Sequence, residues 1–387
     1  MHLPPNVIKI LDKLSKNGFE GYAVGGCVRD ELLGISAKDW DITTNATPPQ
    51  IKELFAKTVD TGIKHGTVTV LLENQHFEVT TYRIDGKYTD NRRPETVAFT
   101  ADINEDLSRR DFTMNAIAFN PSDGFVDPFG GREDILRREI RCVGDAEARF
   151  NEDALRIMRA FRFAAQLGFN IDDEILTAAA KLGKNLANIS VERIMNELTR
   201  LITAPHPHVL IQLETAGLLP YILPDFAGDL HKIIPKLKLC PPDAPMRYAV
   251  LLASYEEKTT AAFRRLKPDN KTLSLVSLYV SRYKTAIQPD RYEIKKILRR
   301  VPLETLAKLL TLQEIYGIKT DEVFAQAQDI INKNECYTLK NLAINGDDLS
   351  AHGIKKGTKM GEILERLLNE VMQNPSANTR ENLLNLI

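Results

Sequence analysis

Apolar positions recur along this chain at two different periods, and the change from one to the other divides it. Up to about residue 147 the runs are short and alternating, the two-residue period of half-buried strands. Residues 19–24 form an apolar-rich run closed by Gly25-Gly26, which predicts a strand and a turn, and residues 27–34 predict a short helix. Residues 40–44 (WDITT) are β-branched and strand-like. Thr47-Pro48 is a helix start, with threonine as cap and proline in the first turn. Residues 66–72 and 76–83 alternate and are joined by Glu73-Asn74-Gln75, a hairpin signal. Residues 114–119 and 140–143 predict two further strands. Sequential hairpins favour an antiparallel or mixed sheet.

After Gly144 the period becomes helical, as in ALRIMRAFRFAAQLGF (154–169) and VERIMNELTRLI (191–202). Breakers recur in ITAPHPH, LLPYILPDF, CPPDAP and IQPD. The expected organisation is an α+β head over 1–147, then helical regions over 148–208, 209–275 and 276–387. No internal repeat or low-complexity tract interrupts it.

Composition changes this picture little. With 43% hydrophobic and 27% charged residues the chain can build real cores. Its formal charge of −1 says nothing about a polyanionic partner. Cys27, Cys142, Cys240 and Cys336 form no C-x-x-C pair, which argues against a structural zinc or a disulfide framework and fits a reducing compartment. The N-terminal segment lacks the pattern of a signal peptide. No window approaches the roughly 18 consecutive apolar residues that span a bilayer. The expectation is a cytoplasmic protein with no membrane contact and no stable protein partner.

Candidate chemistry concentrates in VGGCVRDELLGISAKDWDITT (24–44). A strand, a glycine pair and a helix let backbone N–H groups approach an anion, and Arg29, one turn into the helix, can reach the same anion. A plain turn has the same local signature. Asp39 and Asp41, at i and i+2 on a strand, point to one face. Two adjacent carboxylates repel unless a cation lies between them, and Mg²⁺ takes such oxygen ligands. Solvated strand-end aspartates are the competing reading. A nucleoside triphosphate with Mg²⁺ explains both features together. Glu78 lies on a later strand, as a further carboxylate of this group or as an exposed strand residue. The chain contains no G-x-x-x-x-G-K-[ST], which disfavours a P-loop ATPase.

The segment YAVGGCVRDELLGISAKDWDITTNATPPQIKELF (22–55) resembles the first signature of the polymerase-β-like nucleotidyltransferases that mature tRNA ends. RRDFTMNAIAF (109–119), DPFGGREDI (127–135), NEDALRIMRAFRFAAQLGF (151–169) and ISVERIMNEL (189–198) resemble that family's later motifs, in order. LKNLAINGDDL and KMGEILERLLNEV resemble its C-terminal region, so the likeness runs through most of the chain. The order and spacing are similar to the bacterial and eukaryotic type, the class II CCA-adding enzymes. Cys27 stands where that pattern usually has alanine. No His-Asp doublet is present, so the phosphohydrolase domain of some relatives is not expected.

The resemblance implies a catalytic head (1–147), a neck that selects the base (148–208), a body (209–275) and a tail that binds tRNA (276–387). It implies that Asp39 and Asp41 hold the metal ions, with Mg²⁺ as cofactor. Gly26, Arg29, Arg110, Asp153, Arg156, Arg159 and Arg162 match nucleotide-binding positions. The implied reaction is addition of C, C and A to the tRNA 3′ end. The 3′-oxygen attacks the α-phosphorus of CTP or ATP and pyrophosphate leaves.

Base choice follows from donor and acceptor patterns. Asp153 and Arg156 are i and i+3 on the helix the periodicity predicts, hence surface neighbours. Asp accepts and Arg donates. Cytosine and adenine both present an amino donor beside a ring-nitrogen acceptor, whereas uracil and guanine reverse this order. Each mispaired buried group costs roughly 1–3 kcal/mol. The bland alternative is an i,i+3 salt bridge worth about 0.2–0.5 kcal/mol. Arg159 and Arg162 continue the spacing, as nucleotide ligands or as solvent-facing arginines.

The polar segment 82–97 (YRIDGKYTDNRRPETV) is expected as a mobile loop. In the resembling family a loop here is needed for the switch from C to A addition, and this one looks full length. Residues 231–300 hold 16 Lys and Arg against 6 Asp and Glu, as RNA-backbone contact requires, or as a solvated face has. Tyr248, Tyr255, Tyr279, Tyr283 and Tyr292 are interleaved there, to stack on nucleotides or to pack between helices. Rival readings are a CC-adding or A-adding enzyme, a bacterial poly(A) polymerase, a non-catalytic RNA-binding protein, and a transferase acting on a small molecule.

Overall fold

A computed structural model of the protein describes residues 1–86 and 97–387, the side chain of Glu256 apart. These residues form two compact units, 1–234 with 261–268, and 235–260 with 269–387.

The first unit is built on a seven-stranded sheet. Its strands are β1 (Gly21–Val24), β2 (Asp41–Thr44), β3 (Thr58–Gly62), β4 (Thr67–Leu72), β5 (Gln75–Thr81), β8 (Ala118–Asn120) and β9 (Gly124–Val126). Their order is β3-β4-β5-β2-β1-β8-β9. Every neighbouring pair is antiparallel except β2 with β5, which is parallel and sets Asp41 beside Glu78. The sheet is therefore mixed. The β4–β5 hairpin turns on Glu73 and Asn74, both left-handed at φ 49° and 61°, as a two-residue loop matching strand twist requires.

Helix α1 (Pro5–Lys16) buries Val7, Ile10, Leu11 and Leu14 at helical spacing. Helix α2 (Gly26–Leu32) follows the glycine turn, and α3 (Pro48–Leu54) starts at a Thr47–Gln50 capping box. Two short strands between β5 and β8, β6 (Arg83–Asp85) and β7 (Val97–Phe99), pair as an antiparallel ribbon. The loop expected over 82–97 is thus a paired ribbon at its ends, and its centre, 87–96, lies outside the described residues.

Two strand expectations need correction. Residues 114–119 are not one strand, because Thr113–Asn115 form a 3-10 turn and only Ala118–Asn120 pair. Side chains take the backbone's place there. Thr113 Oγ1 bonds Asp134, and Asn115 Nδ2 donates to Asp111. Of residues 140–143, only Ile140 is in a strand. Glu139–Ile140 (β10) pairs in parallel with Asn170–Ile171 (β11).

Helices α4 (Ile103–Ser108) and α5 (Gly131–Arg137) flank the 3-10 turn in sequence. They are followed by α6 (Ala146–Glu152), α7 (Leu155–Leu167), α8 (Asp173–Leu182) and α9 (Val191–Ile202). α7 packs against α9 and is buried nearly all round, from Leu155 through Ala165.

The second unit is helical. One core joins Ile294, Leu298, Leu306, Leu310, Val323 and Ile330, and another joins Leu349, Leu367, Leu368, Val371 and Leu383. Tyr248, Tyr279 and Tyr283 are buried here, so these three pack between helices. All four cysteines are free and buried. Among the described residues no helix is long and apolar enough to cross a membrane.

Candidate active site

Asp41 is the first residue of β2, and exposed Asp39 lies in the turn just before it. Glu78 stands across from Asp41 on β5. Asp41 is exposed too, yet partial loss of hydration pushes its carboxyl up, the charges of Glu78 and Asp39 push it the same way, and Arg110 opposes them. A carboxylate raised by neighbouring carboxylates in this way favours a cation beside it. Among the described residues no three carboxylate, imidazole or thiol side chains converge closely enough to cage a metal ion.

The glycine turn lies at the same place. Gly25 has φ 82°, and a Cβ there would stand 2.8 Å from Nη1 of Arg110, the guanidinium that acts on Asp41. Gly25 is therefore required twice, by its backbone conformation and by the arginine lying against it. Cys27, on α2, directs Sγ to the Val24 carbonyl at 3.3 Å and lies 3.9 Å from that of Asp41. Burial pushes its thiol up to about 11, so it is a neutral packing group.

Arg109 and Arg110 are fastened by Asp106, which is fully buried. Asp106 accepts from Arg109 Nη2 at 2.7 Å, Arg110 Nη2 at 3.4 Å, and Thr43 Oγ1 of β2 at 3.2 Å. One carboxylate thus ties both arginines to the strand that carries Asp41.

A second chain of contacts runs from α2 to α7. Arg29 Nη1 donates to Asn115 Oδ1 at 2.6 Å, and Asn115 Nδ2 donates to Asp111 at 3.1 Å. Asp111 in turn holds Arg159 at 2.6 Å. Burial alone pushes the Asp111 carboxyl up. Arg159, Arg156 and the hydrogen bonds from Asn115 and Arg159 outweigh it and hold the group down at about 2. The DPFGG segment braces this chain. Asp127 accepts from the N–H groups of Gly131 and Arg132 at 2.7 and 2.9 Å, and a Cβ on Gly131 would lie 2.1 Å from the Thr113 carbonyl oxygen.

The neck residues depart from expectation in detail. Asp153 is not on the helix with Arg156; it is extended (φ −138°, ψ 104°) between α6 and α7 and caps the Leu155 N–H at 3.0 Å. Its ion partner is Arg193 of α9, at 2.7 Å. Arg156 bonds Glu152 at 2.6 Å and the Arg109 carbonyl at 3.0 Å. The i,i+3 salt bridge is thus absent. Arg162 is not solvent-facing: it is 4% exposed, bound to Glu197 and Gln166, and desolvation lowers it to about 10. Arg159 is partly exposed and paired with Asp111.

Asp39, Asp41, Gly25, Gly26, Arg29 and Arg110 gather at one end of β1 and β2. Arg29 is linked through Asn115 and Asp111 to Arg159 on α7. Asp106, Asp111, Asn115 and Arg193 complete the arrangement and were not singled out from the sequence, although Asp111 and Asn115 lie inside the RRDFTMNA motif.

Residues 21–141 match the family model described as Poly A polymerase head domain, and 168–230 the one described as Probable RNA and SrmB-binding site of polymerase A. Residues 247–387 match tRNA nucleotidyltransferase domain 2. The CCA-adding enzyme of Lactobacillus helveticus is 37% identical over 378 residues, covering 94% of this chain and 92% of that protein. The CCA-adding enzyme of Lactococcus lactis is 37% identical over 378 residues, covering 95% and 93%. The crystal structure of the Bacillus stearothermophilus CCA-adding enzyme in complex with CTP superposes with a TM-score of 0.84 at 33% identity, covering 98% of this chain and 96% of that one.

Proposed function

The chain belongs to the CCA-adding enzymes, and from that premise we propose that Asp39 and Asp41 carry its nucleotidyl transfer while Asp153 and Arg156 choose the base. The enzyme adds C, C and A to the 3′ end of tRNA from CTP and ATP and releases pyrophosphate. The observation that carries the assignment of residues is the meeting of Asp41, Glu78, Arg110 and Gly25 in one place. Carboxylates for a cation stand there beside a glycine turn and a guanidinium for phosphates.

Asp39 and Asp41 would hold the divalent ions, with Mg²⁺ the fitting choice for an all-oxygen donor set. Such ions, when bound, acidify the attacking 3′-hydroxyl and neutralise the leaving phosphates. Arg110, held by Asp106, and Arg29, held by Asn115, bind the triphosphate oxygens. Gly25 and Gly26 let the backbone approach it closely. Arg159 and Arg162 support the nucleotide from α7.

Asp153 accepts from the amino group of C or A, and Arg156 donates to the ring nitrogen beside it. A carboxylate has about four lone-pair sites, and Asp153 spends three on Arg193 and Leu155. Arg156 spends two of its five N–H donors. Each keeps capacity for a base.

We further assign catalysis to 1–147, base selection to 148–208, and tRNA contact to the helical regions 209–275 and 276–387, in a cytoplasmic enzyme. Exposed Lys238, Arg264, Lys271, Arg282 and Arg300 supply cations for the RNA backbone. The test is incubation with tRNA lacking its 3′ end, Mg²⁺ and labelled CTP and ATP, read at nucleotide resolution. Three additions, C, C and A, are expected. Products stopping at CC, adding only A, or growing into poly(A) would assign the rival activities. Asp39→Asn and Asp41→Asn should each abolish nearly all turnover while the protein stays folded.

A further inference from the structure

Phe163 of α7 is 5% exposed and meets Phe112 edge-on, with centroids 5.8 Å apart. Three guanidiniums lie over its ring: Arg162 at 3.7 Å, Arg29 at 4.9 Å and Arg159 at 5.5 Å. Arg159 and Arg162 come from the same helix, whereas Arg29 comes from α2, more than a hundred residues earlier in the chain. Each has a separate partner. Arg29 bonds Asp30 and Asn115, Arg159 bonds Asp111, and Arg162 bonds Glu197. Asn115 and Asp111 are hydrogen-bonded to each other and so link Arg29 to Arg159, whereas Arg162 is held by Glu197; of these groups only the Phe163 ring lies against all three arginines. Asp30, Asp111 and Glu197 each offset one of the three charges, and the ring adds the one attraction common to all three. An aromatic face carries negative quadrupolar charge and attracts every cation above it, more strongly where water is excluded.

We infer that Phe163 is a positioning residue for nucleotide binding: its ring gathers Arg29, Arg159 and Arg162 from two elements into one cationic group, so that an incoming nucleoside triphosphate meets them already assembled. The inference rests on the reading of these three arginines as nucleotide ligands. Its energetic consequence falls on binding. The ring touches no reacting atom, so turnover at saturating nucleotide should change little.

The test replaces Phe163 with mono-, di- and trifluorinated phenylalanine in the full-length enzyme. Fluorine drains electron density from the ring face and leaves its shape and apolar packing nearly unchanged. On tRNA lacking its 3′ end, KM for CTP and for ATP should rise stepwise with fluorine number, to about tenfold, which is about 1.4 kcal/mol. Turnover should stay within about twofold and the melting temperature should hold. Phe163→Leu, which keeps an apolar side chain and lacks the ring, should raise KM at least as far as trifluorination. A KM that stays flat across the fluorinated series would overturn the proposal and leave Phe163 as core packing. Arg29→Ala and Arg159→Ala separate the two layers of the argument. If both leave nucleotide KM unchanged, the assignment of the arginines fails and the inference with it. If both raise KM while the fluorinated series stays flat, only the role of the ring fails.

Discussion

Replacing Asp111 with asparagine changes one atom and removes one charge, and the structure fixes what that should cost. Asp111 Oδ1 accepts from the Phe112 N–H at 2.9 Å and from Asn115 at 3.1 Å, and Oδ2 accepts Nε and Nη2 of Arg159 at 2.7 and 2.6 Å. These contacts hold the folded carboxyl at about 2 against its ordinary 3.8. A depression of that size corresponds to about 2 kcal/mol of stability. Because the folded value is the lower one, this stability is fully present above pH 3.8. It is lost as pH falls toward 2, and about half is gone by pH 3. Asp111→Asn forfeits it at pH 7 and also leaves the Arg159 guanidinium without its anion. Complete burial of a stranded charge costs about 3–5 kcal/mol. Arg159 is 33% exposed and reaches water, so the lower end applies. The expected loss is about 2–4 kcal/mol at pH 7, shrinking by about 1 kcal/mol at pH 3. Trp40, the only tryptophan, is buried in the same unit, so urea unfolding followed by its fluorescence reads this unit directly. An equal gap between wild type and variant at pH 7 and pH 3, or none at pH 7, would refute the reasoning.

Gly25→Ala meets both a left-handed backbone and Arg110 Nη1 at 2.8 Å; about 1–2 kcal/mol of strain and a displaced Arg110 should lower kcat/KM for nucleotide at least tenfold, and unaltered kinetics would remove the glycine turn from the site. Asp153→Ala and Arg156→Ala should each cut discrimination against UTP and GTP by roughly tenfold, about the loss of one paired polar group; incorporation assays with all four nucleotides decide it, and unchanged selectivity would defeat the protein template. Binding of tRNA should weaken steeply with salt, log Kd rising linearly with log salt concentration, whereas salt-insensitive binding would rule out the basic helices as the RNA contact.

What could be read in the sequence, and what could not, divides along a physical line. The β4–β5 hairpin, α2 and the Thr47-Pro48 start of α3 are specified by neighbours within four residues, and each formed within two residues of where the pattern placed it. The 3-10 turn at Thr113–Asn115 escaped notice because its apolar alternation is genuine. Side-chain bonds to Asp111 and Asp134 override it, and the second of those lies 21 residues away. Glu78 was legible as a carboxylate on a strand. Its place beside Asp41 depends on the one parallel pairing in the sheet, which no local signal announces.

The neck shows why the charged residues were harder still, and why the correction there favours the proposed template. Helical periodicity runs unbroken through Asp153 and Arg156, so spacing alone made them partners. In the structure Asp153 leaves the helix to cap it, and its charge is met by Arg193, 40 residues on, while Arg156 turns to Glu152 and the Arg109 carbonyl. Had the two bound each other, reading a base would have required breaking that bond, and part of the discrimination would be spent on doing so. Instead each is oriented from behind by a third group and keeps one or more unused hydrogen-bonding positions. On the proposed template a matching base would complete both sets without displacing anything, and one that does not match would set acceptor against acceptor and donor against donor. On that proposal selectivity would depend on how Arg193 and Glu152 hold the pair as well as on the pair itself. Arg193→Ala should therefore loosen choice among the four nucleotides even though Asp153 and Arg156 remain. If incorporation by that variant were as selective as by the parent, the orienting contacts would have no part in base choice.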